Sequence, residues 1–455
     1  MSISRDERLG TEKITKLMFS MGIPGLFAQL INLLYNIVDR SYIGHIEDVG
    51  ATALTGIGIC MPIIIIITAF SSFVGGGGAP LASIAMGQKD NEQAEKYLGN
   101  GVTMLVIFSV VLMVIFLWVN KPFLYLIGAS DATYFYAGQY ITIYLLGTIF
   151  VQLTVGLNPF ITAQGASTTA MVSVLIGAII NIVLDPILIF GFNMGVRGAA
   201  LATIISQAVS AFWVIYFLTS KKATVRIRKK YLRPDWKVIK KSSALGISPF
   251  IMQSTEAMIS IVMNSGLQTY GGDLYVGSLT ILQSTMQMIT VPLNGFAQSV
   301  MPIISYNYGA GNKKRVTHTF RNLLILLTIA AALIAGMGII APEIFALFFT
   351  NDVAMIQLVK KVMPIFMFGM IFFGIQMTCQ TTFMALGQAK LSLFVALFRK
   401  VLLLVPLALI LPKVTGNVMG IYYSEPISDI ISVVTCGVLF LINFKTILSK
   451  CPSHS

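Results

Sequence analysis

Charge is what this chain has least of. Asp, Glu, Lys and Arg make up 11% of its 455 residues, against about 25% in soluble globular domains, which excludes a free-standing soluble enzyme or binding domain. Histidine is also scarce, with His45, His318 and His454 far apart, and Cys60, Cys379, Cys436 and Cys451 form no CxxC pair. Neither a metal cluster nor a disulfide framework is expected. No Ser/His/Asp or His/Glu grouping falls within an apolar segment, so an intramembrane enzyme lacks its parts. Two glycine-rich stretches, Gly75-Gly76-Gly77-Gly78 and Gly309-Ala310-Gly311-Asn312-Lys313, lack the Lys-Ser/Thr that completes a phosphate loop, so nucleotide binding is excluded there, and the first is expected instead to loosen the inner end of the second helix. Nor does the start read as a cleavable signal peptide, because Arg5, Asp6, Glu7, Arg8, Glu12 and Lys13 precede any apolar run.

What the chain has is apolar length. It is 56% hydrophobic, with a mean hydropathy of +0.82. Runs long enough to cross a bilayer, about 20 residues each, lie near 15–38, 52–78, 99–119, 134–157, 168–190, 196–218, 242–266, 275–305, 320–341, 358–382, 391–411 and 418–443. The expected fold class is therefore an all-α polytopic membrane protein of twelve helices. The residues between the sixth and seventh runs are strongly basic, carrying Lys221, Lys222, Arg226, Arg228, Lys229, Lys230, Arg233, Lys237, Lys240 and Lys241 against Asp235 alone. With the N-terminus inside, only Arg40, Lys121, Arg197, Lys360, Lys361 and Lys413 fall on outer junctions, so both termini are expected in the cytoplasm. The net charge of +13 is thus a topology signal, and no nucleic-acid partner is implied. Trp236 and the basic linker could touch acidic headgroups, or serve only as topology signal and hinge.

A shift of about 222 residues aligns the two halves. Gly22-Ile23-Pro24 with Gln29 falls near Gly246-Ile247-Ser248-Pro249 with Gln253, Pro80 and Gly87 on Pro302 and Gly309, and Ala163-Gln164-Gly165 on Ala385-Leu386-Gly387. Gly147 falls on Gly369 and Gly198 on Gly420. An even helix count per half relates the halves by pseudo-twofold symmetry along the membrane normal, with a cleft between them. The organisation read from this is an N-lobe over 1–218, a basic cytoplasmic linker over 219–241 and a C-lobe over 242–455. A monomer is expected, because the cleft lies within one chain.

The residues that carry chemistry are polar groups inside apolar helices. Asp185, followed by Pro186, sits in a segment where a carboxylate costs several kcal/mol and turns to a cavity or a partner, unless Pro186 simply kinks the helix and Asp185 caps a polar gap between helices. Asn181, four residues earlier, shares its helical face, and Pro186 leaves the Ile182 carbonyl without its helical donor. Asp39 lies near the outer end of the first helix, either as a second site acid or paired with Arg40. Thr203 adds a hydroxyl in the sixth helix, where a packing role is equally open. Hard oxygen donors of this kind suit Na+ or H+ and not a transition metal. Tyr35, Gln29, Gln253, Glu256, Met258, Gln283 and Arg399 are read as cleft residues, Glu256 either to pair with a cationic substrate or to make a structural hydrogen bond, and Pro24 as a hinge of the first helix or a static kink. Arg399 and Asp429 lie at matched depth, about 13 Å from their helix ends, and are expected to pair, while Lys400 is expected to snorkel. The methionines of the second half suit a polyspecific cavity, though only a minority are expected to face it.

Asp39 beyond a proline-containing first helix, Asn181 and Asp185 before Pro186, and Thr203 after Gly198-Ala199-Ala200-Leu201-Ala202 resemble the multidrug and toxic compound extrusion family. Arg399 with Pro406 and Glu425-Pro426-Ile427-Ser428-Asp429 are similar to further family segments. The resemblance covers nearly the whole chain. It implies two six-helix lobes in the bacterial cell (inner) membrane that export organic, often cationic, compounds or drugs against Na+ or H+, with Asp39, Asn181, Asp185 and Thr203 as the N-lobe cation site. No other cofactor is implied. The acid of the seventh helix, Glu256, has no acidic partner in the tenth, where Gln376 and Gln380 stand, so the pattern looks more like the DinF-like or MepA-like branch than the NorM-like one. A lipid-linked oligosaccharide flippase of the same superfamily is the alternative. It would need several basic residues at the cleft, where only Arg399 and Lys400 qualify.

Overall fold

The computed structural model describes residues 7–47 and 49–451; Arg5, Asp6 and His454 lie outside them. Twelve long helical segments follow one another. They are α1 (Ile14–Gly44), α2 (Gly50–Gly87), α3 (Asn91–Ile127), α4 in two pieces (Asp131–Leu146 and Thr148–Ala163), α5 (Ser167–Gly191) and α6 (Val196–Thr219). The second half repeats the series as α7 (Trp236–Gly271), α8 (Asp273–Gly309), α9 (Lys313–Ile340), α10 (Val353–Ala385), α11 (Ala389–Thr415) and α12 (Met419–Ser449). Among the described residues there is no strand. Ten of these segments are long and apolar enough to cross a membrane, or eleven if the bent α4 counts as one span. The remaining one, α8, is 37 residues long and diluted by Gln283, Gln287, Asn294, Gln298 and Asn307.

Several helices outrun the apolar segments that announced them, because their ends are polar and lie beyond the hydrocarbon. The Asp90 side chain caps α3 at the Gln93 N–H, and Asp235 caps α7 at the Lys237 and Val238 N–H groups. Each cap satisfies a donor left open at a helix start and contributes about 1 kcal/mol. The basic stretch before α7 is not loose. Thr103 Oγ1 donates to the Leu232 carbonyl at 2.6 Å, Asp235 N–H to Asn100 Oδ1 at 2.7 Å, and Arg228 pairs with Glu95 at 3.1 Å.

The repeat is written in the backbone. Gly165 and Gly387 take φ of +76° and +67°, and Lys89 and Gly311 take +60° and +75°, each pair about 222 residues apart. Gly147 is the point at which α4 bends by 60°, and its counterpart Gly369 opens a 3-10 turn, Gly369–Phe372, within α10. A π-helical stretch interrupts the fifth helix of each half, Ile187–Gly191 and Phe398–Leu404. None of these four helix breaks is visible in the hydropathy pattern, which reads only the average polarity of a segment.

The two bundles meet along α1 against α8 and α2 against α7 and α8. A Cβ on Gly246 would strike the Phe73 carbonyl, one on Gly77 the Ser242 carbonyl, one on Gly87 the Tyr306 carbonyl, and one on Gly309 the Ile84 carbonyl. Gly75 and Gly78, instead of loosening α2, let it close onto Gly156 and Phe160 of α4. These approaches lie toward the C-terminal halves of α2 and α8. Toward the 44–50 and 271–273 turns, the glycine contacts stay within a bundle: Gly56 meets Thr133, Gly266 meets Ile421 and Gly277 meets Met355. The buried core has the same asymmetry. One cluster runs through both bundles, while a second, built on Ile43, Ile57, Ile63, Phe116 and Ile141, belongs to the first bundle alone. The bundles are therefore joined at one end and separate toward the other.

Candidate ion and substrate sites

Asn181 Nδ2 donates to Asp185 Oδ1 at 3.3 Å, as their four-residue spacing requires on a helical face. Asp185 is 0% exposed, Asn181 1% and Asp39 9%. The Asp39 carboxyl reaches across from α1 and adjoins that of Asp185. Arg40 does not close an ion pair with Asp39, because its guanidinium turns to Met61 Sδ at 3.6 Å. Three oxygens are left buried without a hydrogen-bond partner, Asp39 Oδ1, Asn181 Oδ1 and Asp185 Oδ2. Orphaned acceptors at such depth cost about 1–3 kcal/mol each. Two ionised carboxylates have no proton with which to bond each other, so a shared proton or a small cation would complete the pair. An oxygen-only donor set is suited to either.

The local backbone explains the placement. Pro186 supplies no N–H, and the Ile187 N–H bonds the Leu184 carbonyl, so Ile182 loses its usual donor and α5 loosens into the π-helical stretch beside Asp185. Gly198 lets the start of α6 lie against the Leu188 carbonyl, which brings Thr203 toward the same region. The Thr203 hydroxyl donates to the Ala199 carbonyl at 3.0 Å and adjoins the buried phenol of Tyr140. Tyr140, with Tyr144 stacked at 6.2 Å, was not singled out from sequence. The only signal was a tyrosine pair at helical spacing in an apolar segment.

Tyr35 adjoins Asp39 on α1. Pro24 and Gln29 sit on the half of α1 pressed to α8, where a Cβ on Gly25 would strike the Gly295 carbonyl and Gln29 Cγ lies 2.5 Å from where a Cβ on Gly295 would stand. Gln253 spans the bundle interface, accepting from Ser72 Oγ at 2.8 Å and donating to Thr68 Oγ1 at 2.7 Å. Met258 is exposed and Gln283 half-buried. Met263, Met301, Met363, Met367, Met370, Met377 and Met384 are core residues.

Arg399 and Asp429 do pair, with Arg399 Nε donating to Asp429 Oδ1 at 2.6 Å, and Arg399 also binds Glu425 Oε1 at 3.1 Å. Lys400 does not snorkel. It is 7% exposed, its ammonium bonds the Met252 carbonyl at 3.0 Å, and it pairs with Glu256. The structure thus gives Glu256 an internal cation, where the sequence left open a cationic substrate or a structural hydrogen bond.

The MatE family model matches twice, over residues 24–187 and 249–410. The chain belongs to the MatE family. The two matches coincide with the two bundles, and the family resemblance seen in the motifs holds at the level of the whole chain. Among curated relatives it is 26% identical to the multidrug export protein MepA of Staphylococcus haemolyticus, over 93% of both chains. It is 25% identical to MepA of Staphylococcus aureus (strain NCTC 8325 / PS 47), over 91% of both. Among solved structures it matches the outward-facing conformation of a multidrug resistance MATE family transporter of the MOP superfamily, with a TM-score of 0.91 at 20% identity, over 98% of this chain and 99% of that one. The MatE fold of twelve helices in two lobes is the architecture described above.

Proposed function

We propose that this chain is a secondary antiporter of the bacterial cell membrane that exports organic, cationic amphiphilic compounds in exchange for inward Na+ or H+. Its kinship with multidrug export proteins supports export of drug-like molecules. The observation that carries the coupling is the buried Asp39–Asn181–Asp185 cluster with its three unpartnered oxygens. Neutralising this pair removes the like-charge repulsion across the contact between α1 and α5. The inner half of α1 is pinned to α8 by the Gly22 and Gly25 contacts on either side of Pro24, so the proline hinge lies within the pinned half and the part of α1 beyond Gln29 is what moves. Ion occupancy therefore acts on the contact between the bundles, and the joined end and the open end exchange as the lobes rock. One inward charge supplies about 2.3 kcal/mol per 100 mV. In this reading both termini lie in the cytoplasm, as the distribution of basic residues suggests, and the unit is a monomer.

The flippase alternative is disfavoured by the fate of its two candidate bases. Arg399 is bound to Glu425 and Asp429, and Lys400 to Glu256, which leaves neither free for a pyrophosphate. The test is ethidium efflux from proteoliposomes under separately imposed Na+ and H+ gradients. Efflux driven by one gradient identifies the ion; dye retention under both, in protein shown to be folded, overturns antiport.

A further inference from the structure

In the N-lobe, α1 and α5 bring together two acids, Asp39 and Asp185. The corresponding helices of the C-lobe, α7 and α11, bring together Glu256 and Lys400. On the same pair of helices the first lobe thus carries two acids and the second an acid with a base, though not at equivalent positions of the repeat. The pair is uneven in exposure, with the Lys400 side chain 8% exposed and that of Glu256 58%. Glu256 lies one turn beyond Gln253, whose amide bridges Thr68 and Ser72 of the opposite lobe, and residues three apart share a helical face. Glu256 thus faces the space between the lobes one turn past this contact, with its counter-ion behind it.

We propose, on the reading of this chain as an exporter of organic cations, that Lys400 is a tethered counter-ion that holds Glu256 until a monovalent organic cation in the cleft takes its place. The pair then selects for positive charge. Charge accounting fits a monocation. Glu256, Glu425 and Asp429 are three acids against the two bases Arg399 and Lys400, held in two ion-paired groups that meet at the adjacent residues 399 and 400, so with all five ionised one added positive charge makes them neutral. Asp429 Oδ2 is buried without a partner, in keeping with a cluster short of cation. When displaced, Lys400 keeps its bond to the Met252 carbonyl and stays in the field of Glu425. The same chemistry excludes anions from Glu256 and leaves neutral molecules with no means of displacing the lysine.

The test is ethidium binding to the purified full-length protein by fluorescence anisotropy, with fluorescein as the anionic control. Lys400→Met frees Glu256, and ethidium is expected to bind about tenfold more tightly; Glu256→Gln is expected to weaken it about tenfold. The decisive variant is the swap Glu256→Lys with Lys400→Glu. It preserves an ion pair, so its thermal midpoint should stay near the wild-type value, but it puts the positive group at the cleft. Ethidium binding should be lost and fluorescein binding gained. A swapped protein that binds ethidium like wild type, or a Lys400→Met protein that is folded and binds it less tightly, overturns the latch. So does wild-type protein that binds no ethidium. Wild-type protein that binds ethidium but expels none under either gradient overturns the antiport reading alone.

Discussion

The two lobes share a backbone and differ in charge. Gly165 and Gly387 make the same left-handed turn, and Gly198 and Gly420 each let a sixth helix settle onto a carbonyl of the fifth, at Leu188 and Leu411. Between those matched frames the polar content has diverged. The N-lobe buries Asp39 and Asp185 with orphaned oxygens and no internal cation, whereas the C-lobe threads three acids and two bases into contacts that largely satisfy one another. Duplication fixes where helices can approach, because a side chain at a glycine contact strikes backbone. It leaves free which lobe depends on a ligand for its charge balance. On the ground of this comparison we propose the N-lobe as the ion site and the C-lobe as structural and selective.

The largest effect that would break the comparison is at Asp185. Asp185→Asn leaves helix content unchanged and removes gradient-driven ethidium efflux altogether in proteoliposomes; a mutant that still couples would show that the ion site lies elsewhere. Next is Arg399→Met, which strands Glu425 and Asp429 and is expected to cost about 3–5 kcal/mol, seen as a large fall in thermal midpoint. Adding Glu425→Gln and Asp429→Asn should recover most of that loss, and no recovery would show that Arg399 acts by packing, for example over the Phe373 ring at 5.6 Å. Gly246→Val drives a side chain into the Phe73 carbonyl and is expected to cost about 1–3 kcal/mol. Because the joined end can then no longer close, a cysteine pair reporting that interface should cross-link less. The smallest effect is at Gln253→Leu, which removes two hydrogen bonds between the lobes, about 1 kcal/mol each. It should reduce stability modestly without changing which ion drives efflux.

Much of this was legible beforehand, and the reasons for success and failure are physical. Asn181 and Asp185 were joined by helical spacing alone, since four residues bring side chains to one face whatever surrounds them. Arg399 and Asp429 met because both are buried charges at one depth, and each needs the other. Lys400 was misplaced as a snorkelling residue, because its partner Glu256 lies 144 positions away and only packing of α7 against α11 reveals it. Gly75 to Gly78 were read as slack, although a membrane helix uses glycine as readily for close packing. Tyr140 left no trace, because a tyrosine among apolar residues is ordinary until its phenol is found beside Thr203. The bends at Gly147 and Gly369 were aligned as landmarks of the repeat but not recognised as breaks, which depend on backbone geometry that hydropathy does not record.

The most direct test of the N-lobe assignment is release of the coupling ion on substrate binding, measured in purified protein with a pH indicator in weakly buffered solution and, separately, a Na+ electrode. Wild-type protein should release a proton or Na+ when ethidium is added, and Asp185→Asn should bind the dye and release neither. Equal release from the two proteins would contradict coupling through Asp39 and Asp185.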